Sequence, residues 1–335
     1  MSLMNMNEFP MPEKNHNQWV ALKSRLSFEM LGLIAVLAFL YIVFTFTAPN
    51  FLTMGNQLNI LQSAAFVGII AFGMTLVIIC GEIDISVGSA VALSSALLGV
   101  LVDKLGLPIG FAVLLVLIEG TLIGLLGGYI RARFGVPSFI VTLAWFSGLK
   151  GLALFMTNAF PIYIDSPSFE FWGAGRIWGI IPVPAVFLVA AFAIFYFISK
   201  RTPFGRSVFA VGGNAEAARL SGLPVARIRM LVLGTTGLLA AIVGILLSSR
   251  LSSGNPNIGS GLEFEVIAAV IIGGTSLAGG KGSMVGTLVG VLLITVLKNG
   301  MTLWGINPYT QNIVNGAIVL IAVLISSLRN KRETA

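Results

Sequence analysis

The chain has 335 residues, of which 56% are hydrophobic and 10% charged, with one cysteine and one histidine; a soluble domain carries about 25% charged residues. With a mean hydropathy of +0.96, that composition excludes a water-soluble globule, a disordered chain, a disulfide-stapled module and a Cys/His metal site, and leaves a polytopic all-α membrane protein. The net charge of +7 would suggest nucleic acid in a soluble protein, but here the basic residues belong to loops on one side of a membrane, so no nucleic-acid partner is expected.

A hydrocarbon core about 30 Å thick takes about 20 apolar residues as helix. Ten segments meet that length in chain order: 28–48, 58–80, 86–103, 108–130, 138–157, 182–199, 230–249, 264–280, 284–300 and 311–328. The first is longer than a signal-peptide core and no small-x-small site follows it, so a retained anchor is expected. The eighth and ninth are separated only by GGKGS, which suits either a tight hairpin or a re-entrant pair. The expected organisation is a tail at 1–27, one transmembrane domain at 28–328 and a tail at 329–335. With the N-terminus inside, fifteen of the 20 Lys and Arg fall inside and four outside, Lys150 lying within a span. Both termini are therefore expected in the cytoplasm.

Two connections are long. Residues 158–181 lie outside, and their Tyr163, Trp172 and Trp178 read either as interface anchors or as a docking surface for an external partner. Residues 200–229 lie inside and are the most polar stretch. Within them Asn214 is a good N-cap, Glu216 suits the positive end of a helix dipole, Gly222 takes the usual stop position and Pro224 blocks resumption. The expectation is one short helix, flanked by flexible Gly212 and Gly213, exposed as a rigid peg for a cytoplasmic partner. VIICGEIDISVGS at 77–89 and VIIGGTSLAGGKGS at 270–283 echo one another, as parallel repeats would.

No residue set suggests catalysis or metal binding. The stretch from Gly274 to Ser283 misses a phosphate-binding loop by one residue of spacing, and Gly282 stands where Ser or Thr would hold magnesium. Charges within spans are few: Glu119, Lys150, and the Glu82–Asp84 and Glu263–Glu265 pairs near span ends. An ion-coupled carrier places several there, so the motor is expected on another subunit. Glu82 and Asp84 are hydroxyl acceptors at a helix break, joined as path candidates by Ser86 and by Gly274, Thr275 and Ser276 at the other break. The alternative is that Asp84 or Ser86 caps the next helix. Gly120, Gly124 and Gly128, and Gly282, Gly286 and Gly290, recur every four residues on a helix face, suited to packing within the chain or between subunits. His16 is expected in solvent and Cys80 as a packed thiol.

GGNAEAARLSG resembles the EAA-x-x-x-G loop of ABC-transporter permeases, with Glu216, Ala217, Ala218 and Gly222 in the matching positions and Gly213, Asn214 and Arg219 around them. GEIDISVGS at 81–89, AAVIIGGTSLAGGKGSMVGTL at 268–288, NFLTMGNQLNILQ at 50–62 and RLSSGNPNIGSGLEFEVIAAV at 250–270 are similar to segments of the ribose-type monosaccharide permeases, in the same order. Relatives often have a small residue where this chain has Glu82. The resemblance implies a bacterial inner-membrane permease that pairs with a second copy or paralogue and docks two cytoplasmic ATPase subunits. It also implies sugar delivered by a periplasmic or extracellular binding protein. ATP and magnesium would sit on the ATPase partner, with no cofactor on this chain and membrane lipid around it. A self-sufficient ion-coupled carrier is the alternative reading; a scaffold without transport leaves the glycine-broken spans unexplained.

The topology is open to cysteine labelling on a Cys80→Ser background. Ser166→Cys and Asn307→Cys should react from outside, and Ser221→Cys only after permeabilisation. Labelling of position 221 from outside would reverse the orientation.

Overall fold

The computed structural model describes residues 15–334, with side chains described from 30 to 324. His16 and the basic side chains of both tails lie outside that range. The described helices are α1 (Asn15–Thr47), α2 (Met54–Ile79), α3 (Val87–Gly99, running on through a π-helical turn to Lys104), α4 (Ile109–Phe134), α5 (Ser138–Thr157), α6 (Pro167–Ala174) and α7 (Val183–Arg201). They continue with α8 (Pro203–Gly213), α9 (Ala215–Leu220), α10 (Val225–Leu251), α11 (Leu262–Ile272), α12 (Met284–Leu303) and α13 (Pro308–Thr334). Two antiparallel pairs of two-residue strands stitch loops together: β1 (Ile162–Tyr163) with β4 (Ser253–Gly254), and β2 (Arg176–Ile177) with β3 (Ile181–Pro182).

Eight described helices are long and apolar enough to cross a bilayer: α1 from Met30, α2, α3 with its π turn, α4, α5, α7, α10 and α12. The described apolar part of α13, Pro308–Leu324, is shorter. The expected span at 264–280 is overturned. Its helix α11 has 11 residues and spans roughly 16 Å, about half a hydrocarbon core. Glycine explains the stop: Gly273 and Gly274 follow Ile272, and Gly274 has φ +89°. The cytoplasmic connection also differs from expectation. It holds two helices, not one, because Thr202 accepts from Gly205 N at 3.1 Å and starts α8 behind Pro203. Gly212 and Gly213 are the last residues of that helix rather than a loop ahead of the next one.

Helix α2 is the axis of the bundle. Every residue from Ala64 to Cys80 is buried, as expected of a helix apolar on all sides. Cys80 is a free, buried thiol. Lipid supplies no hydrophobic force between helices, so close backbone approach carries the packing. All three glycines of the first ladder lie on α4 against α10. A Cβ at Gly120 would lie 2.6 Å from Gly237 O, one at Gly124 3.0 Å from Gly234 Cα, and one at Gly128 2.5 Å from Met230 Cα. In the second ladder Gly286 and Gly290 of α12 abut Gly273 and Ala269. Gly282 departs from expectation: it precedes α12 and packs on the Ile79 side chain.

Gly124→Leu should force α4 from α10 and destabilise the protein by about 1–3 kcal/mol, the usual cost of overpacking. Gly148→Leu on α5, where an added Cβ meets nothing within 4 Å, is the control. Thermal midpoints in detergent check both; a Gly124→Leu protein as stable as the control would refute the packing argument.

Candidate functional site

Helix α2 ends in a Schellman turn. Gly81 N donates to Ile78 O at 3.0 Å, Glu82 N donates to Val77 O at 3.0 Å, and Gly81 takes φ +79°. Residues 82–86 then run without helical bonds between α5 and α10. Irregular backbone survives at membrane depth only where the protein satisfies it. Here Ser138 and Thr142, one turn apart on α5, do so: Ile83 N donates to Ser138 Oγ at 3.0 Å and Ile85 N to Thr142 Oγ1 at 3.2 Å.

The two carboxylates of the break have different surroundings. Glu82 is only 2% exposed and meets two cations. Arg131, at the end of α4, donates through Nε at 3.0 Å; Arg229, in the first turns of α10, forms an ion pair at 2.7 Å without hydrogen-bond alignment. Asp84 is buried among neutral donors. Its Oδ1 accepts from Ser86 N at 2.9 Å and Ser86 Oγ at 2.6 Å, and its Oδ2 from Thr236 Oγ1 at 2.6 Å. Of the two expected caps, Ser86 stands at the N-cap of α3, but its backbone is helical and its hydroxyl makes no capping bond. That hydroxyl is turned to Asp84 instead.

Helix α11 ends in the same way. Gly274 N donates to Ile271 O at 2.9 Å and Thr275 N to Val270 O at 3.2 Å. Val77-Ile-Ile and Val270-Ile-Ile therefore close with equivalent bonds, so the echo seen in sequence has a structural counterpart. Thr275 is 1% exposed and its hydroxyl has no partner. Ser276 N donates to Lys281 O at 3.0 Å, which turns the chain back toward α12. The two breaks then meet: Gly280 N donates to Ile79 O at 2.8 Å.

The cytoplasmic helices rest on this junction. Gly212 of α8 packs so closely on Ile79 O that no side chain fits, and a Cβ at Gly279 would lie 2.7 Å from Gly212 O. Helix α9 follows. Asn214 Oδ1 accepts from Ala217 N at 2.9 Å, and Gly222, at φ +83°, closes a third Schellman turn with Leu223 N donating to Ala218 O at 3.0 Å. Ala218 is buried, while Glu216 and Arg219 are exposed and pair at 2.6 Å. The Arg219 guanidinium holds the Glu216 carboxyl below the usual range, so it is ionised at neutral pH.

Arg131, Arg229, Thr236, Ser138 and Thr142 were not singled out from sequence, and Gly212 was read there only as a flank of the cytoplasmic helix. The i, i+4 spacing of Ser138 and Thr142 was visible, but not that their hydroxyls face a broken strand of backbone. A second polar set lies along the chain leading into α11. Lys150 Nζ donates to Pro256 O at 2.6 Å, Glu263 Oε1 accepts from Gly261 N at 3.1 Å, and Glu265 pairs with Lys298 at 2.5 Å.

Residues 56–323 match the family described as branched-chain amino acid transport system / permease component. The chain is 49% identical to the probable ABC transporter permease protein YphD of Escherichia coli (strain K12), over 99% of each chain. It is 43% identical to the ribose import permease protein RbsC of Bacillus subtilis (strain 168), over 89% of this chain and 92% of that one. The chain belongs to the ribose-type family of ABC-transporter permeases. The permease is also 33% identical to the xylose transport system permease protein XylH of Escherichia coli (strain K12), over 99% of its own length and all of the relative's. No solved structure matches it significantly.

Glu82→Leu leaves two guanidinium groups facing a buried apolar residue and should destabilise the permease by about 3–5 kcal/mol, as breaking a buried ion pair does. Arg131→Met and Arg229→Met each leave Glu82 one partner, so each should cost less than Glu82→Leu. Thermal melts of the three variants check this ranking; a Glu82→Leu midpoint equal to wild type would contradict it.

Proposed function

We infer that the permease is the membrane path of an ATP-driven importer for a monosaccharide or a related polyol. What carries this reading is 43% identity with a permease named for ribose, over 89% of the chain, and 33% with one named for xylose, over 99%. The self-sufficient carrier is set aside on the same ground. The protein is a multi-pass membrane protein and a transporter subunit, not an enzyme; in its family the ATPase is a separate chain. Its place is the bacterial cytoplasmic membrane, with one transmembrane domain.

The finer assignments join the family resemblance to the geometry of the breaks. The peg is Asn214–Gly222, on the side that the basic loops mark as cytoplasmic, and it faces a pair of ATPase subunits that hold ATP and magnesium. A sugar-binding protein docks outside, on the 158–181 connection. A second copy or a paralogue completes the path. Transport is by alternating access. ATPase closure pushes α8 and α9, Gly212 presses on Ile79 O, and the bond from Gly280 carries the push to the second break. Glu82, held by Arg131 and Arg229, keeps the first break in register with α4 and α10. Both oxygens of Asp84 are occupied by internal donors, which favours a role for Asp84 in shaping the break.

Uptake of labelled ribose, xylose and arabinose by cells carrying the permease with its ATPase and binding protein tests the reading; uptake in vesicles lacking the ATPase would refute it. Gly212→Ala places a methyl on the Ile79 carbonyl. A penalty of about 1.4 kcal/mol on the coupled state would lower uptake about tenfold, with ATPase binding retained. Glu216→Lys should instead lose co-purification with the ATPase, or solute-stimulated hydrolysis, because it reverses the exposed charge of the peg. Gly222→Val, at a positive φ that a β-branched residue resists, should behave likewise. Wild-type coupling in all three would remove the peg from the mechanism.

A further inference from the structure

Away from the helix breaks, α4, α6, α7 and α10 enclose an apolar cavity of about 330 Å³ that opens on the outer surface of the bundle. Phe169 of α6 and Ile245 and Leu246 of α10 form its floor and are buried. Leu117 of α4 and Phe187 of α7 stand on its sides. At one end the ring of Trp172 meets Phe187 edge-on, with centroids 6.0 Å apart, and Ser168 supplies a hydroxyl. The cavity is thus a slot lined by apolar side chains, with the Ser168 hydroxyl on its α6 wall.

The surfaces beside the slot say what fills it. On α4, Phe111, Leu114 and Ile118 are 46–51% exposed, and on α7 Val189 is 65% exposed. Both helices are long enough to cross the bilayer, so these side chains are its lipid-facing surface. The slot is continuous with that surface on both sides. The Trp172 end matches the interfacial level, where indole rings sit with one edge apolar and the other wet. Gly110 lines the cavity at its exposed side, and a Cβ there would meet nothing within 4 Å, so a longer side chain has room to reach across the opening. We propose that this slot is a binding site for one acyl chain of a membrane phospholipid, with the ester end at Ser168 and Trp172 and the tail against Ile245 and Leu246. Seated there, the chain fills the space between α4 and α10 on one side and α6 and α7 on the other. It ties the outer connection, through α6, to the helices that frame the first break.

The floor distinguishes a seated chain from bulk lipid. Bulk lipid touches only outward residues such as Leu114 and Ile118; a seated chain alone reaches Ile245 and Leu246. The whole permease is placed in nanodiscs of phosphatidylethanolamine and phosphatidylglycerol, doped with phosphatidylethanolamine bearing a diazirine at the end of an acyl chain. After illumination the labelled positions are mapped by peptide mass spectrometry. Wild type should be labelled at Ile245 and Leu246 as well as on the outward face of α4. Gly110→Leu, which closes the mouth, should lose the floor label and keep the outward one, and Gly110→Ala should keep both. The kept outward label and an unchanged thermal midpoint show that Gly110→Leu is folded. An unlabelled floor in wild type overturns the proposal, whether bulk lipid alone is seen or Gly110→Cys cross-links to a second copy seated in the slot. A floor label that survives in Gly110→Leu overturns it too.

Discussion

In hydrocarbon a backbone N–H or C=O without a partner costs several kcal/mol, so every departure from helix must be answered by the protein itself. The rest of this fold follows from how that demand is met at residues 80–86 and 273–283. At the first break the answer comes from side chains: Ser138 and Thr142 for two amides, Asp84 for the amide of Ser86. At the second it comes mostly from the loop's own backbone and from Ile79. Helices α5 and α10 are thereby fixed against the first break, and α8 against both.

Glycine sets how near the surrounding helices come. Along α4 and α10 it removes side chains where two backbones touch, and in lipid that contact replaces the burial energy that drives packing in water. At Gly81, Gly222 and Gly274 it does something different, supplying the positive φ that a Schellman stop requires. One residue type therefore both draws the helices together and decides where they end. The charge on Glu82 is tolerated in this packed setting because two guanidinium groups stand beside it.

Much of this was legible in the sequence, for reasons that hydropathy and local rules make plain. Spans such as α2, α5 and α7 are predominantly apolar runs of the length a bilayer requires, and α9 carries its start and stop in Asn214 and Gly222. The 264–280 run misled because apolar content alone does not distinguish a helix from a half-helix followed by a glycine turn. The echo of 77–89 in 270–283 held the needed hint, since Gly81 and Gly274 occupy equivalent positions. Helix α8 was missed because its apolar face is formed by Val208 and Val211, which pack only once α2 and α10 are present. The partners of Glu82 were out of reach: Arg131 and Arg229 are 98 residues apart in a chain whose basic loops all look alike until they are folded.

The hydrogen bond from Gly280 to Ile79 has a consequence for how the two breaks can part. Ile79 O is the last acceptor of a helix that has run out of its own donors, and a loop from the far end of the chain covers it. Lifting that loop bares a carbonyl and an amide together, and away from water each unpaired group costs free energy, so the two breaks part only where water or new donors replace the bond. The contact itself is made by backbone alone, with glycine at 212 and 280 keeping side chains out of the joint.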